Sequence, residues 1–189
     1  MKKIIIVLLS LLLLFSITSC EEDKSGEVIE TFEEFVYARE LCLSAKYITG
    51  NDGASDDNVE IDDVSKQDLC TFLWDTDEKY KTLHPADVEI TAASGSVLQE
   101  TFKSTYTNVS ISYSLTFNGE AVTGTATVDG TYTVTKTEEV TTTTYDMTVN
   151  GTKYLVKYSQ NDDYKCTAAS INGKAVDVRL LNSDVSLND

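Results

Sequence analysis

The sequence predicts an α+β fold: one or two N-terminal helices packed on a curved antiparallel β-meander of about eight or nine strands. Three observations carry this. Between residues 27 and 86 apolar side chains recur at helical spacing, and from Asp87 onward the period changes to two. Asn-Gly pairs at 118–119, 150–151 and 172–173 then punctuate the alternating part. A helix shows its buried face at every third or fourth position, a half-buried strand at every second.

The chain opens with Lys2 and Lys3, followed by an apolar stretch from Ile4 to Ile17 broken only by Ser10 and Ser16. That stretch falls short of the about 20 apolar residues a bilayer span needs. A charged start, a short apolar run and small residues before a cut site describe an export signal. Ile17-Thr18-Ser19-Cys20 resembles the lipobox of bacterial lipoproteins, where Leu at the first position and Gly or Ala before the cysteine are the usual choices. The resemblance implies a signal peptide over residues 1–19, cleavage before Cys20, a diacylglycerol on the Cys20 sulfur and acylation of the new amino group. At about 0.8 kcal/mol per buried CH₂, several acyl chains would hold a protein on a membrane almost permanently. Residues 20–26 then read as a lipidated tether. Its Glu21-Glu22-Asp23 looks like the surface-export signal of some Gram-negative lipoproteins, and the same composition also suits a solvated linker. The expected location is the outer membrane, with a lean towards display on the cell surface.

From Glu27 to about Thr49, the residues Val28, Ile29, Phe32, Phe35, Val36, Leu43 and Tyr47 predict an amphipathic helix, stopped by Gly50-Asn51-Asp52-Gly53. Residues 52–63 form an acidic loop. Ser65-Lys66-Gln67-Asp68 reads as a second helix start, with Leu69, Phe72, Leu73, Tyr80 and Leu83 on its buried face. His84-Pro85 ends that helix, because the residue before a proline avoids helical geometry. Residues 27–86 are thus the helical segment and residues 87–189 the meander, together one domain.

In the meander, Val109, Ile111, Tyr113, Leu115 and Phe117 alternate with Ser110, Ser112, Ser114 and Thr116. Asn118-Gly119 supplies a two-residue hairpin turn, which sets Leu115 opposite Val122, Tyr113 opposite Gly124, Ile111 opposite Ala126 and Val109 opposite Val128. Asn150-Gly151 repeats the device, pairing Tyr145 with Val156 and Met147 with Tyr154 and leaving Asp146, Lys153 and Lys157 on the outer face. Asp129-Gly130 reads as a hairpin with a three-residue loop, and Asn172-Gly173 as the last turn. The Thr-rich stretch from Thr131 to Thr144 shows Thr and charge on both faces, so that hairpin is expected to project into solvent. A meander of this length either curls as an open sheet under the helices or closes into a lipocalin-like barrel. In a barrel the inward Tyr113, Tyr145, Tyr154 and Tyr158 would line a ligand cavity; in an open sheet they are core.

The chain carries 15 basic and 31 acidic side chains; without Lys2 and Lys3 the mature form has 13 basic residues and a formal charge of −18. Such a polyanion repels phosphate backbones, which excludes nucleic acid as a partner. Cys42, Cys70 and Cys166 remain besides Cys20. Export favours oxidation, and Cys42 with Cys70 is the preferred pair for a disulfide, worth roughly 3–4 kcal/mol on the chain-entropy model; buried free thiols are the alternative.

The single histidine, His84, stands in a linker and suits a surface position better than a base or ligand. No Ser-His-Asp arrangement, zinc-spaced cluster or glycine-rich phosphate loop is written in the chain. The acidic loop containing Asp52, Asp56, Asp57, Glu60, Asp62 and Asp63 offers the hard oxygens that Ca²⁺ takes, but setting Gly53 at the EF-hand glycine leaves Ile48 and Val59 where ligands are required. No metal and no cofactor are therefore expected. The expectation is a non-enzymatic, membrane-anchored envelope or surface domain that binds an unknown partner, with a carrier of a small apolar ligand as the alternative.

Overall fold

The computed structural model describes residues 24–49, 58–59 and 64–183. Helix α1 covers Lys24–Ile48, α2 covers Lys66–Thr76, and a four-residue α3 covers Val178–Leu181. Eight antiparallel strands follow one another in a single sheet: β1 (Asn58–Val59), β2 (Val88–Glu100), β3 (Lys103–Phe117), β4 (Glu120–Lys136), β5 (Val140–Val149), β6 (Thr152–Asn161), β7 (Cys166–Ile171) and β8 (Lys174–Ala175). The α+β class and the meander are as the sequence predicts. The signal segment, Cys20 and the six acids of the candidate metal loop lie outside the described residues.

Helix α1 starts at Lys24, so residues 24–26 form its first turn instead of belonging to the tether. Its fully buried stripe is Phe35, Ala38, Leu41, Cys42, Ala45 and Ile48, at the three- and four-residue spacing of one helical face. Phe32, Val36 and Leu43 flank that stripe, whereas Val28, Ile29 and Tyr47 are exposed. Helix α2 begins as expected: Ser65 is the N-cap, its hydroxyl accepting from the Asp68 N–H at 3.0 Å. It ends earlier than expected, at Thr76. Asp77 adopts an extended conformation and caps a new 3₁₀ turn, Glu78–Thr82, by accepting from the Lys79 N–H at 3.0 Å. Leu83 thus reaches the core from beyond the helix.

The hairpin registers agree with the sequence pair by pair. Leu115, Tyr113, Ile111 and Val109 face Val122, Gly124, Ala126 and Val128. Tyr145 faces Val156, and Met147 faces Tyr154. The Asn172-Gly173 turn pairs Ile171 with Lys174. Asp129-Gly130, in contrast, makes no turn: β4 runs through it to Lys136, and the chain reverses at residues 137–139 instead. Gly130 has φ +121°, and opposite Asp129 strand β3 carries an extra residue between Tyr106 and Val109. Asn108, at φ +50°, donates its N–H to Asp129 Oδ1 at 2.7 Å within this bulge. On the other side of β3, Gly95 (φ +118°) lies against the Asn108 carbonyl. A line of irregularities thus crosses β2, β3 and β4, and such bulges bend and twist a sheet. Only the tip of the Thr-rich hairpin, residues 135–139, is fully exposed; its stem is half-buried in the sheet.

The sheet does not close into a barrel. Closure would need a strand to pair along β7, and that edge is already occupied. Val176 donates its N–H to the Ala169 carbonyl at 2.9 Å. The Asn182 carboxamide accepts from the Cys166 N–H at 2.8 Å and donates to the Cys166 carbonyl at 2.7 Å. Among the described residues the last strand ends at Ala175, and α3 follows it within the span expected to be meander.

The possible Cys42–Cys70 bridge is also corrected. Both are free, buried thiols at the junction of α1, α2 and the sheet, where they act as small apolar fillers. Burial pushes the Cys42 thiol up to about 12 and raises that of Cys70, so neither forms thiolate readily.

Candidate functional site

The sheet has two unlike faces. The helices cover one of them, and the four tyrosines singled out in the sequence all point to that side, packed in or against the core. None of the cavities of about 490, 330 and 70 Å³ that described residues line takes in all four. Tyr145 is buried, with its ring 5.1 Å from that of Tyr132, and Tyr158 meets Phe35 of α1 edge-on at 6.3 Å. Burial and the neighbouring Tyr158 and Tyr132 hydroxyls hold the Tyr145 phenol far above its ordinary range, so it stays neutral. Tyr113 lies across Gly124, where any Cβ would overlap its ring, and Tyr154 stands apart near Tyr37.

Two further tyrosines belong to this layer and are not among the four that the sequence singles out. Tyr106 is buried beside Ser104 and Thr49; burial pushes its hydroxyl up to about 12, offset in part by those two hydroxyls. Tyr132 carries the Lys46 ammonium 4.6 Å above its ring centroid, a cation–π contact that ties the end of α1 to β4. The signal for Tyr106 was hidden by the irregularity at Asn108, whereas the inward direction of Tyr132 and Val134 is what the sequence already required. The extra residue in β3 switches the parity that places Tyr106 inside, and a continuous β4 places Tyr132 and Val134 on the same side as Val128.

No described helix covers the other face. There Ser110, Ser112 and Ser114 of β3 stand opposite Thr127, Thr125 and Thr123 of β4. Thr133 and Thr135 of β4 face Thr144 and Thr142 of β5, and Thr142 shares a hydrogen bond of 2.8 Å with Ser159 of β6. Asp146 lies on this face as predicted and pairs with Lys153 at 2.6 Å. Across β3–β6 the face carries Lys103, Lys153 and Lys157 against Asp129 and Asp146, close to neutral in a chain whose formal charge is −16. The acids concentrate elsewhere, with five glutamates on α1 alone.

Three cavities formed by described residues open at the surface. One of about 490 Å³ lies between the start of α1 and the last hairpin, lined by Glu27, Val28, Thr31 and Lys174–Asp177. A second, of about 330 Å³, lies by Lys66, Asp87, Glu89 and Thr116. A third, of about 70 Å³, holds Arg39, Gln160, Cys166 and Asn182. Of the four tyrosines only Tyr158 lines one of them, the smallest. Among the described residues no group of three His, Cys, Asp or Glu side chains is arranged to hold a metal ion, and no helix is long and apolar enough to cross a membrane. His84 is exposed at the head of the 3₁₀ turn Pro85–Asp87. Comparison with protein-family models, with curated proteins and with solved structures finds no match for this chain.

Proposed function

We propose that the mature chain is a lipid-anchored, non-enzymatic domain of the bacterial outer membrane, tethered through Cys20, that meets its partner on the sheet face that no described helix covers. The observation that carries the reading is the division of chemistry between the two faces. The helical side is acidic, which suits a domain that must stand off an anionic membrane surface. The sheet side is nearly uncharged and offers rows of hydroxyl donors and acceptors, which suits a polar, hydrogen-bonding partner rather than an apolar ligand. That the domain is non-enzymatic rests on the sequence, in which one histidine and no recognisable nucleophile–base arrangement occur.

Two measurements test the two halves separately. Mass spectrometry of the N-terminal peptide from the membrane fraction should give a peptide beginning at a diacylglycerol-modified Cys20; an unmodified Cys20 or a start at Met1 would refute the anchor. A photo-crosslinking side chain placed at Thr125 or Thr144 in intact cells should capture a defined adduct that the same group at Glu33 of α1 does not. Adducts from Glu33 alone would refute the face.

A further inference from the structure

We infer that, of the three Asn-Gly asparagines, Asn118 is the one that deamidates, while the two other turns are protected by their place in the sheet. All three asparagines sit in the left-handed region, at φ +51° (Asn118), +47° (Asn150) and +50° (Asn172), each followed by a glycine with open space around it. Local geometry therefore does not separate them.

What separates them is the strand next door. Asn150 donates its N–H to the Thr127 carbonyl at 2.9 Å, and its Oδ1 accepts from the Thr127 N–H at 2.9 Å. Asn172 clamps Leu155 in the same way, at 2.8 and 2.9 Å. In both cases the clamped residue is the one that the strand register places directly opposite the asparagine. Applied to Asn118, the pairing of Val88 with Leu115 places Pro85 in that position. Proline has no N–H to give, and residues 85–87 have already left the sheet as a 3₁₀ turn. Among the described residues no hydrogen bond holds the Asn118 side chain.

The chemistry needs only water. The Gly119 amide nitrogen gives up its proton and attacks Cγ of Asn118; the N–Cγ bond forms, the Cγ–Nδ2 bond breaks, and Nδ2 takes up a proton and leaves as ammonia. Water then opens the resulting succinimide at either carbonyl, giving aspartate or isoaspartate. To reach that geometry Asn150 and Asn172 must first release an Oδ1 hydrogen bond, and Asn118 need not. One net hydrogen bond lowers the population of the free amide by roughly five- to tenfold. The product puts a new negative charge on the β3–β4 turn, and the isoaspartate form adds a backbone methylene to it.

The test is peptide mapping by mass spectrometry after the purified mature chain is aged in mildly alkaline buffer, with a parallel sample in denaturant. In the folded protein Asn118 should deamidate roughly five- to tenfold faster than Asn150 and Asn172, the cost of one hydrogen bond. In denaturant the three rates should draw together. Equal rates in the folded protein would overturn the inference, and so would the same ranking in denaturant, which would assign the difference to neighbouring residues instead of the clamp.

Discussion

Replacing Gly130 with alanine puts a methyl group where β5 already has backbone. The added Cβ would stand 2.1 Å from the Asp146 carbonyl oxygen and 2.8 Å from Met147 Cα, and φ at this position is +121°. Two costs add. An L-residue held in that part of backbone space is strained by about 1–3 kcal/mol, and forcing β4 from β5 resembles overpacking, at about another 1–3 kcal/mol. A total near 4 kcal/mol is a large share of the 5–15 kcal/mol typical of a domain. It should lower Tm by about 10 °C. The control is Gly124→Ala, whose Cβ would meet the Tyr113 hydroxyl at 2.3 Å. There the obstacle is the far end of a side chain, which can swing aside, so the loss should stay near 1 kcal/mol. Urea unfolding of the mature protein and both variants, compared at constant m, measures the difference. If Gly130→Ala costs no more than Gly124→Ala, the account of Gly130 as an in-strand glycine pressed on β5 is wrong.

Ser65→Ala should cost about 1 kcal/mol by leaving the Asp68 N–H without its cap, with Ser65→Asp retaining most of the stability in the same urea assay. Asp75 of α2 is held above the usual carboxylate range, mainly by burial and further by Glu40, against the lowering effect of the Ser44 hydroxyl and Lys81. Its proton is therefore bound more tightly in the folded state, and stability is lost as pH rises from below its unfolded pKa through its raised folded one. Asp75→Asn should flatten that slope and change neutral-pH stability by under about 1 kcal/mol, since solvent screens the half-exposed group; an unchanged slope would refute the assignment. With a thiol reagent, Cys166 should react first and Cys42 and Cys70 only on unfolding, all three titrating in denaturant without reductant. A denatured chain showing only Cys166 would restore the disulfide.

What could be read from the sequence depended on how far apart in the chain the deciding residues lie. The turns at Asn118 and Asn150 are settled by adjacent residues, and alternation then carries the register along both strands, which is why each predicted pair from Leu115–Val122 to Met147–Tyr154 is found. Asp129-Gly130 carries the same local signal, a residue pair that favours a positive φ, yet is used inside a strand. The choice between turn and strand is made by Asn108, whose N–H takes the Asp129 carboxylate, and by β5 lying alongside; neither is visible from residue 129. The inward direction of Tyr113, Tyr145, Tyr154 and Tyr158 was legible from parity, whereas their division among separate neighbours depended on where α1 crosses the sheet. Likewise the residues after Ala175 look like more strand until Asn182 is seen to fold back on Cys166.

That fold-back has a consequence for assembly. A carboxamide presents the same C=O and N–H pair as a peptide group, so Asn182 offers β7 what a ninth strand would offer at its first position, without a strand's ability to continue. The bonds add modestly to the stability of the monomer. Their larger effect falls on states the chain avoids. A second chain arriving to extend the ladder at Cys166 finds the donor and acceptor already matched, and must break two good bonds before making its own.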